Sequence, residues 1–151
     1  MKKNNGWRWL SKGRAEGPIL GGCISSIGHL RGTKFWPDFS NAIFFWEIPE
    51  GENFFEGESL ANIDSYLADL KNSGILSQIK GMIIGRPFRY NKKQIEGLFK
   101  IINIYIKDYK FPVLFGVDIG HTDPMITLPQ GVRVLIDSSK NIFEFIEKGT
   151  K

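Results

Sequence analysis

His121 stands in the stretch Asp118-Ile119-Gly120-His121-Thr122-Asp123-Pro124, directly after an apolar run from Pro112 to Val117. The run reads as a strand, so the imidazole sits where a strand gives way to a loop. Such a position is anchored behind and open in front, where binding and catalytic groups are commonly placed. Histidine titrates near neutral pH and can serve as a general base. Asp118 and Asp123 flank it with carboxylates in sequence. The same stretch also fits a turn histidine satisfied by a backbone carbonyl. A second candidate closes another apolar run, Ala42-Ile43-Phe44-Phe45-Trp46, which ends at Glu47. That carboxylate either partners a group at the strand tips or simply reaches solvent.

Other chemistry-bearing residues are few. Gly21-Gly22 ends the run Pro18-Ile19-Leu20, as expected of a strand that closes with a tight backbone approach. Such a turn can free N–H groups for an anion or a carbonyl, although a plain turn has the same sequence. Ser25 and Ser26 are the hydroxyls nearest to it and read as helical, and no GxSxG elbow is present. Arg31 and Arg86 each adjoin a glycine or proline turn, fit to clamp a carboxylate through paired hydrogen bonds or to remain solvated. Cys23 is the single cysteine, which precludes a disulfide within the chain and a cysteine-based zinc site. His29 and His121 lack any metal-binding spacing, and nothing in the pattern calls for a metal or cofactor.

The elements that must position these residues follow from periodicity. Trp7-Arg8-Trp9-Leu10 alternates as a short strand does, and 42–46 is a continuous apolar run, as in a strand buried on both faces. Ser59 to Asn72 carries Leu60, Ile63, Tyr66, Leu67 and Leu70 at helical spacing, with Gly74 placed to stop it. Ile75 to Ile79 leads to a strand, Gly81–Gly85, and a second helix is expected from about Lys92 to Lys107. After the strand 112–117, segments 125–129 and 132–136 flank Gln130-Gly131 as a hairpin, and 141–147 alternates as a last strand. The fold class implied is α/β with a mixed sheet, two main helices and a C-terminal β-hairpin. Residues 1–16 read as a lead-in, beginning with a loose polar Met1-Lys2-Lys3-Asn4-Asn5, and 17–151 as one domain.

With 151 residues, 42% hydrophobic and 24% charged, the chain has the composition of one soluble domain. No apolar run suits a membrane span and no signal peptide is legible, so a cytoplasmic location is expected. The net charge of +4 is scattered, without a basic stripe, which argues against nucleic acid as a partner.

Six segments, in order, carry a family resemblance: Gly17-Pro18-Ile19-Leu20-Gly21-Gly22, Leu30-Arg31-Gly32-Thr33, Phe44-Phe45-Trp46-Glu47, Gly81-Met82-Ile83-Ile84-Gly85, Gly120-His121-Thr122-Asp123-Pro124 and Leu128-Pro129-Gln130-Gly131. Together they resemble the C-terminal domain of the LD-carboxypeptidase and microcin-immunity group of serine peptidases, with the last two nearer the microcin-immunity branch. The resemblance implies a swivelling β/β/α fold and a metal-free Ser-Glu-His triad. In it Glu47 orients the base, His121 is that base, and Gly22, Cys23, Arg31 and Asp123 are candidates for touching substrate. The implied substrates are amides, either the L,D-bond of murein peptides or peptidyl- and aminoacyl-nucleotides. Cys23 stands where the family has asparagine, which removes an amide donor. The family's serine comes from an N-terminal domain with no counterpart in this sequence. The expectation is therefore a shortened, split or remnant form, inactive alone, that associates with itself or with the missing domain through an exposed apolar face. A non-catalytic binding or interaction module that kept the fold is the alternative.

Overall fold

The computed structural model describes residues 6–150; the polar start at 1–5 lies outside the described residues. The chain runs β1 (Arg8–Ser11), β2 (Arg14–Cys23), α1 (Ile24–Ile27), β3 (Ile43–Glu47), α2 (Leu60–Asn72), α3 (Ile75–Gln78), β4 (Gly81–Gly85), α4 (Lys92–Ile106), β5 (Val113–Val117), β6 (Arg133–Asp137) and β7 (Ile142–Phe145). One sheet orders these strands β1-β5-β4-β3-β2-β6-β7. The run β2, β3, β4, β5 is parallel, and β1, β6 and β7 join antiparallel.

Every residue of β3, β4 and β5 is buried, which is why their sequences are apolar throughout instead of alternating. Phe44, Trp46, Met82, Ile84, Val113 and Phe115 face the helices, meeting Ile63, Leu67 and Leu70 of α2 and Leu98, Ile102 and Ile106 of α4. The two helices start at side-chain caps. Ser59 accepts from the Asn62 N–H, and Asn91 and Gln94 form a reciprocal capping box. The helix α2 stops at Gly74, whose φ of 81° suits the left-handed turn that ends it.

The opposite face, with Ile19, Ile43, Phe45, Ile83, Leu114 and Val117, is covered by the sheet's own curl. The strands at the two ends of the order meet across it. Trp7 and Phe143 bring their ring centroids within 6.3 Å, and the Trp9 indole N–H donates to Asn141 Oδ1 at 2.9 Å. Residues 8–16, part of the expected lead-in, are thus strand and core-covering structure.

The expected α/β class, mixed sheet, two main helices and C-terminal hairpin are all present. The hairpin, however, is formed by β6 and β7, and segment 125–129 is not a strand. The edge of the ten-residue β2 opposite β3 takes β6, pairing Ala15 with Ile136. The other edge of β6 is taken by β7, where Ile136 faces Phe143. Residues 125–129 are left without a partner strand and run along the tips of the parallel strands.

The loop after β3 is tied down by the segment after β4. The Tyr90 hydroxyl donates to the Glu58 carbonyl, and Arg89 Nη1 donates to the Phe55 carbonyl at 3.1 Å. Burial, reinforced by the Glu58 charge, pushes the Tyr90 hydroxyl from its usual 10.0 up to about 12. A phenol with a raised folded-state pKa favours the folded state below its unfolded value and loses that contribution as pH rises through the folded one. The melting temperature should therefore hold up to about pH 10 and fall between pH 10 and 12 as Tyr90 ionises. Phenolate absorbance should show Tyr90 as a late-titrating tyrosine that is absent in Tyr90→Phe, and this variant should lose about 1 kcal/mol at neutral pH. Ionisation of Tyr90 near pH 10 would contradict this account.

Candidate active site

Glu47 is the last residue of β3 and only 6% exposed. Its Oε2 lies 2.8 Å from Nδ1 of His121, which is 74 residues away in sequence and rides on the turn after β5. A carboxylate can only accept, so Nδ1 carries the proton of this bond and a neutral ring presents its lone pair at Nε2. The His121 side chain is 40% exposed, so the ring is held at Nδ1 and remains partly open to solvent. Glu50 Oε2 stands 3.5 Å from Nε2, long for a hydrogen bond.

Two glycines make room for the buried carboxylate. A Cβ on Gly120 would lie 2.6 Å from Glu47 Oε2, and Gly120 also has a φ of +97° that other residues rarely adopt. A Cβ on Gly85, at the tip of β4, would lie 2.8 Å from the Glu47 Cβ and 2.7 Å from the Ile119 carbonyl oxygen. On the far side, Gly21 brings β2 against the Phe45 carbonyl, where a Cβ would stand 1.7 Å from the oxygen. The Gln130 amide grips that same glycine, with Nε2 donating to its carbonyl at 2.8 Å and Oε1 accepting from its N–H at 3.3 Å.

A cavity of about 680 Å³ opens in front of this pair. Gly22, Cys23, Glu47, His121, Thr122 and Asp123 line part of it, and Phe45, Ile119, Met125, Ile126 and Leu128 form an apolar wall. The structure thus brings together five of the six residues singled out in the sequence. Arg31 is placed elsewhere. It pairs with Asp69 at 2.6 Å and lines a separate cavity of about 240 Å³ with Ser25 and His29. Its hydrogen bond holds the Asp69 carboxyl below the usual range.

Asp118, adjacent to the histidine turn, is also committed elsewhere. It lies 2.9 Å from Arg86 Nε, while Arg86 Nη2 donates to the Pro124 carbonyl at 2.9 Å, bracing the turn from behind. The carboxylates facing the ring are Glu47 and Glu50, not its sequence neighbour Asp118. Among the described residues no serine lines the main cavity, and Ser25 Oγ instead lies 3.2 Å from Cys23 Sγ. No group of three or more His, Cys, Asp or Glu among them could hold a metal ion. Sequence reasoning missed Glu50 and Gln130. The signal for Glu50 was its place three residues past Glu47, beyond a proline that bends the chain back.

Comparison with known proteins converges on one family. The model of the LD-carboxypeptidase C-terminal domain matches residues 16–136. The Microcin C7 self-immunity protein MccF of Escherichia coli is 28% identical over 145 residues, covering 94% of this chain and 40% of that protein. A "Probable murein peptide carboxypeptidase" of Bacillus subtilis is 27% identical over 134 residues, covering 87% and 40%. Solved structures of MccF, in complex with glutamyl sulfamoyl guanosine and with aspartyl sulfamoyl adenosine, superpose with a TM-score of 0.78 at 27% identity. They are covered to 43% by 99% of this chain. An MccF-like protein from Bacillus anthracis gives a TM-score of 0.78 at 30% identity, over 93% of this chain and 42% of that one. The chain spans about two fifths of the length of the curated relatives it matches.

The slot around Glu47 yields a direct test. Gly120→Ala should push the carboxylate off Nδ1 and strain the turn, lowering stability by about 1–3 kcal/mol. The hydrogen-bonded Nδ1 proton of His121 should vanish from its downfield position in the NMR spectrum. A variant that keeps this resonance and its melting temperature would show that Gly120 does not shape the slot.

Proposed function

The chain belongs to the LD-carboxypeptidase C-terminal domain family, and on that premise we propose that it supplies the Glu47–His121 part of a Ser-Glu-His centre that cleaves amide bonds. The observation that carries this reading is the 2.8 Å bond between a buried carboxylate and the Nδ1 of an imidazole that lines a cavity. The substrates proposed are the L,D-bond of murein peptides or the acyl–nitrogen bond of peptidyl- and aminoacyl-nucleotides. The names and bound ligands of the relatives support both classes. The nucleophilic serine comes from a part of the enzyme that this chain does not span, and the chain alone is inactive.

In this reading the serine oxygen attacks the amide carbon while its proton passes to His121 Nε2, and Glu50 gives way at that nitrogen. The protonated ring, its charge balanced by Glu47, then delivers the proton to the nitrogen as the C–N bond breaks. Water attacks the acyl-serine, giving a proton to Nε2, and the proton returns to the serine oxygen as the ester bond breaks. The absence of a serine from the described cavity lining also favours a second reading, a binding module that kept the fold without the chemistry.

Hydrolysis of an L,D-tetrapeptide and of an aminoacyl sulfamoyl adenosine should be absent with this chain alone and appear when a separately made N-terminal half of a related peptidase is added. His121→Ala should abolish the restored activity. Glu47→Gln should lower kcat by roughly 10²–10⁴ through loss of the charge that stabilises the imidazolium. Turnover by the chain alone, or restored turnover indifferent to His121, would sink the reading. Met125 at 68% and Ile126 at 40% exposure form an apolar rim in front of the site, which we propose as a self-association or domain-docking face. Sedimentation should reveal concentration-dependent dimers at micromolar concentration, and a strictly monomeric profile would count against it.

A further inference from the structure

The main cavity combines a few polar lining residues with a larger apolar set. His121, Glu47 and Asp123 are its ionisable lining residues, and Glu50, beyond the lining, lies 3.5 Å from His121 Nε2. Phe45, Ile119, Met125, Ile126 and Leu128 supply its apolar lining, and Cys23 adds a thiol, a weak hydrogen-bonding group. No lysine or arginine among the described residues lines the cavity. The two arginines near the strand tips are both committed, Arg86 to Asp118 and the Pro124 carbonyl, Arg31 to Asp69 in its own cavity. Thr122 also lines the cavity, and its Oγ1 is buried with no hydrogen-bond partner.

We propose that this cavity selects an acyl group bearing an apolar side chain and rejects an acidic one, with Glu50 as the residue that enforces the rejection. The inference rests on the amide-hydrolase reading above and deepens it by naming the substrate class. An anionic side chain placed beside Nε2 meets the Glu50 carboxylate and finds no cation among the described lining residues to replace its lost hydration, whereas an aliphatic or aromatic one buries surface against the Met125–Leu128 stretch. Where MccF structures hold aspartyl and glutamyl ligands, this chain presents a site built for leucyl- or phenylalanyl-type groups.

The test titrates this chain with leucyl sulfamoyl adenosine and aspartyl sulfamoyl adenosine, which differ only in the side chain. Both calorimetry and methyl NMR of Met125 and Ile126 are read. The leucyl compound should bind at least tenfold tighter and shift both methyl signals. Glu50→Gln should narrow the gap severalfold by improving aspartyl binding. Equal or reversed affinities, a leucyl complex that leaves those methyls unmoved, or no binding by either compound would overturn the proposal. So would a gap unchanged in Glu50→Gln. Adding the N-terminal half to the same samples separates the two readings. Selective binding without hydrolysis removes the hydrolase and leaves the selectivity, while hydrolysis that favours the aspartyl compound does the reverse.

Discussion

Placing an ionisable carboxylate where water scarcely reaches is costly unless a partner satisfies it, and Glu47 is held at such a place by a single ring nitrogen. Much of the local architecture follows from that. The parallel strands β3, β4 and β5 end at one level, so their tips can converge on one carboxylate. The tip of β4 is Gly85 and the turn after β5 opens with Ile119-Gly120, because any larger residue at either glycine would occupy the volume of the acid. The Arg86–Asp118 pair and the Pro124 carbonyl brace the turn from behind, so that the ring can face both the acid and open space.

The sheet underneath is built from the same economy of partners. Helices α2 and α4 cover one face, and the other is closed by the rolling of the sheet until β1 and β7 touch through Trp7, Trp9, Asn141 and Phe143. Burial on both faces keeps the parallel strands rigid, and rigid strands hold their tips at fixed separations. The histidine turn, the Gly21-Gly22 end of β2 and the acidic end of β3 therefore meet in a fixed geometry even though each belongs to a different part of the chain.

Local features were legible in the sequence because local physics produces them. The apolar runs 42–46 and 112–117 and the stop at Gly74 each carry their cause within a few residues. His121 and Glu47 were legible for the same reason, as polar groups closing apolar runs, although their pairing rested on family resemblance. Features set by partners distant in sequence were not legible. The hairpin expected at 125–136 moved to β6–β7 because the two edges of β6 are taken by β2 and β7. Asp118, adjacent to the histidine, went to Arg86, and Arg31 went to Asp69, since each found a closer opposite charge in the folded chain. Glu50 returned to the ring only through the bend that follows β3, which no periodicity encodes.

Gln130 closes the ladder on β2 beyond the last residue that β6 reaches. Its side-chain amide offers one donor and one acceptor to Gly21, the same pair a backbone peptide would present. One glutamine thus serves as the terminal rung of a sheet where a further strand would have filled the cavity. An uncapped rung here would be an open β-edge beside an apolar wall, the kind of surface onto which another extended chain adds and from which aggregates grow. A side chain capping this edge lets the protein keep an open site at the margin of its sheet without offering that margin as a template.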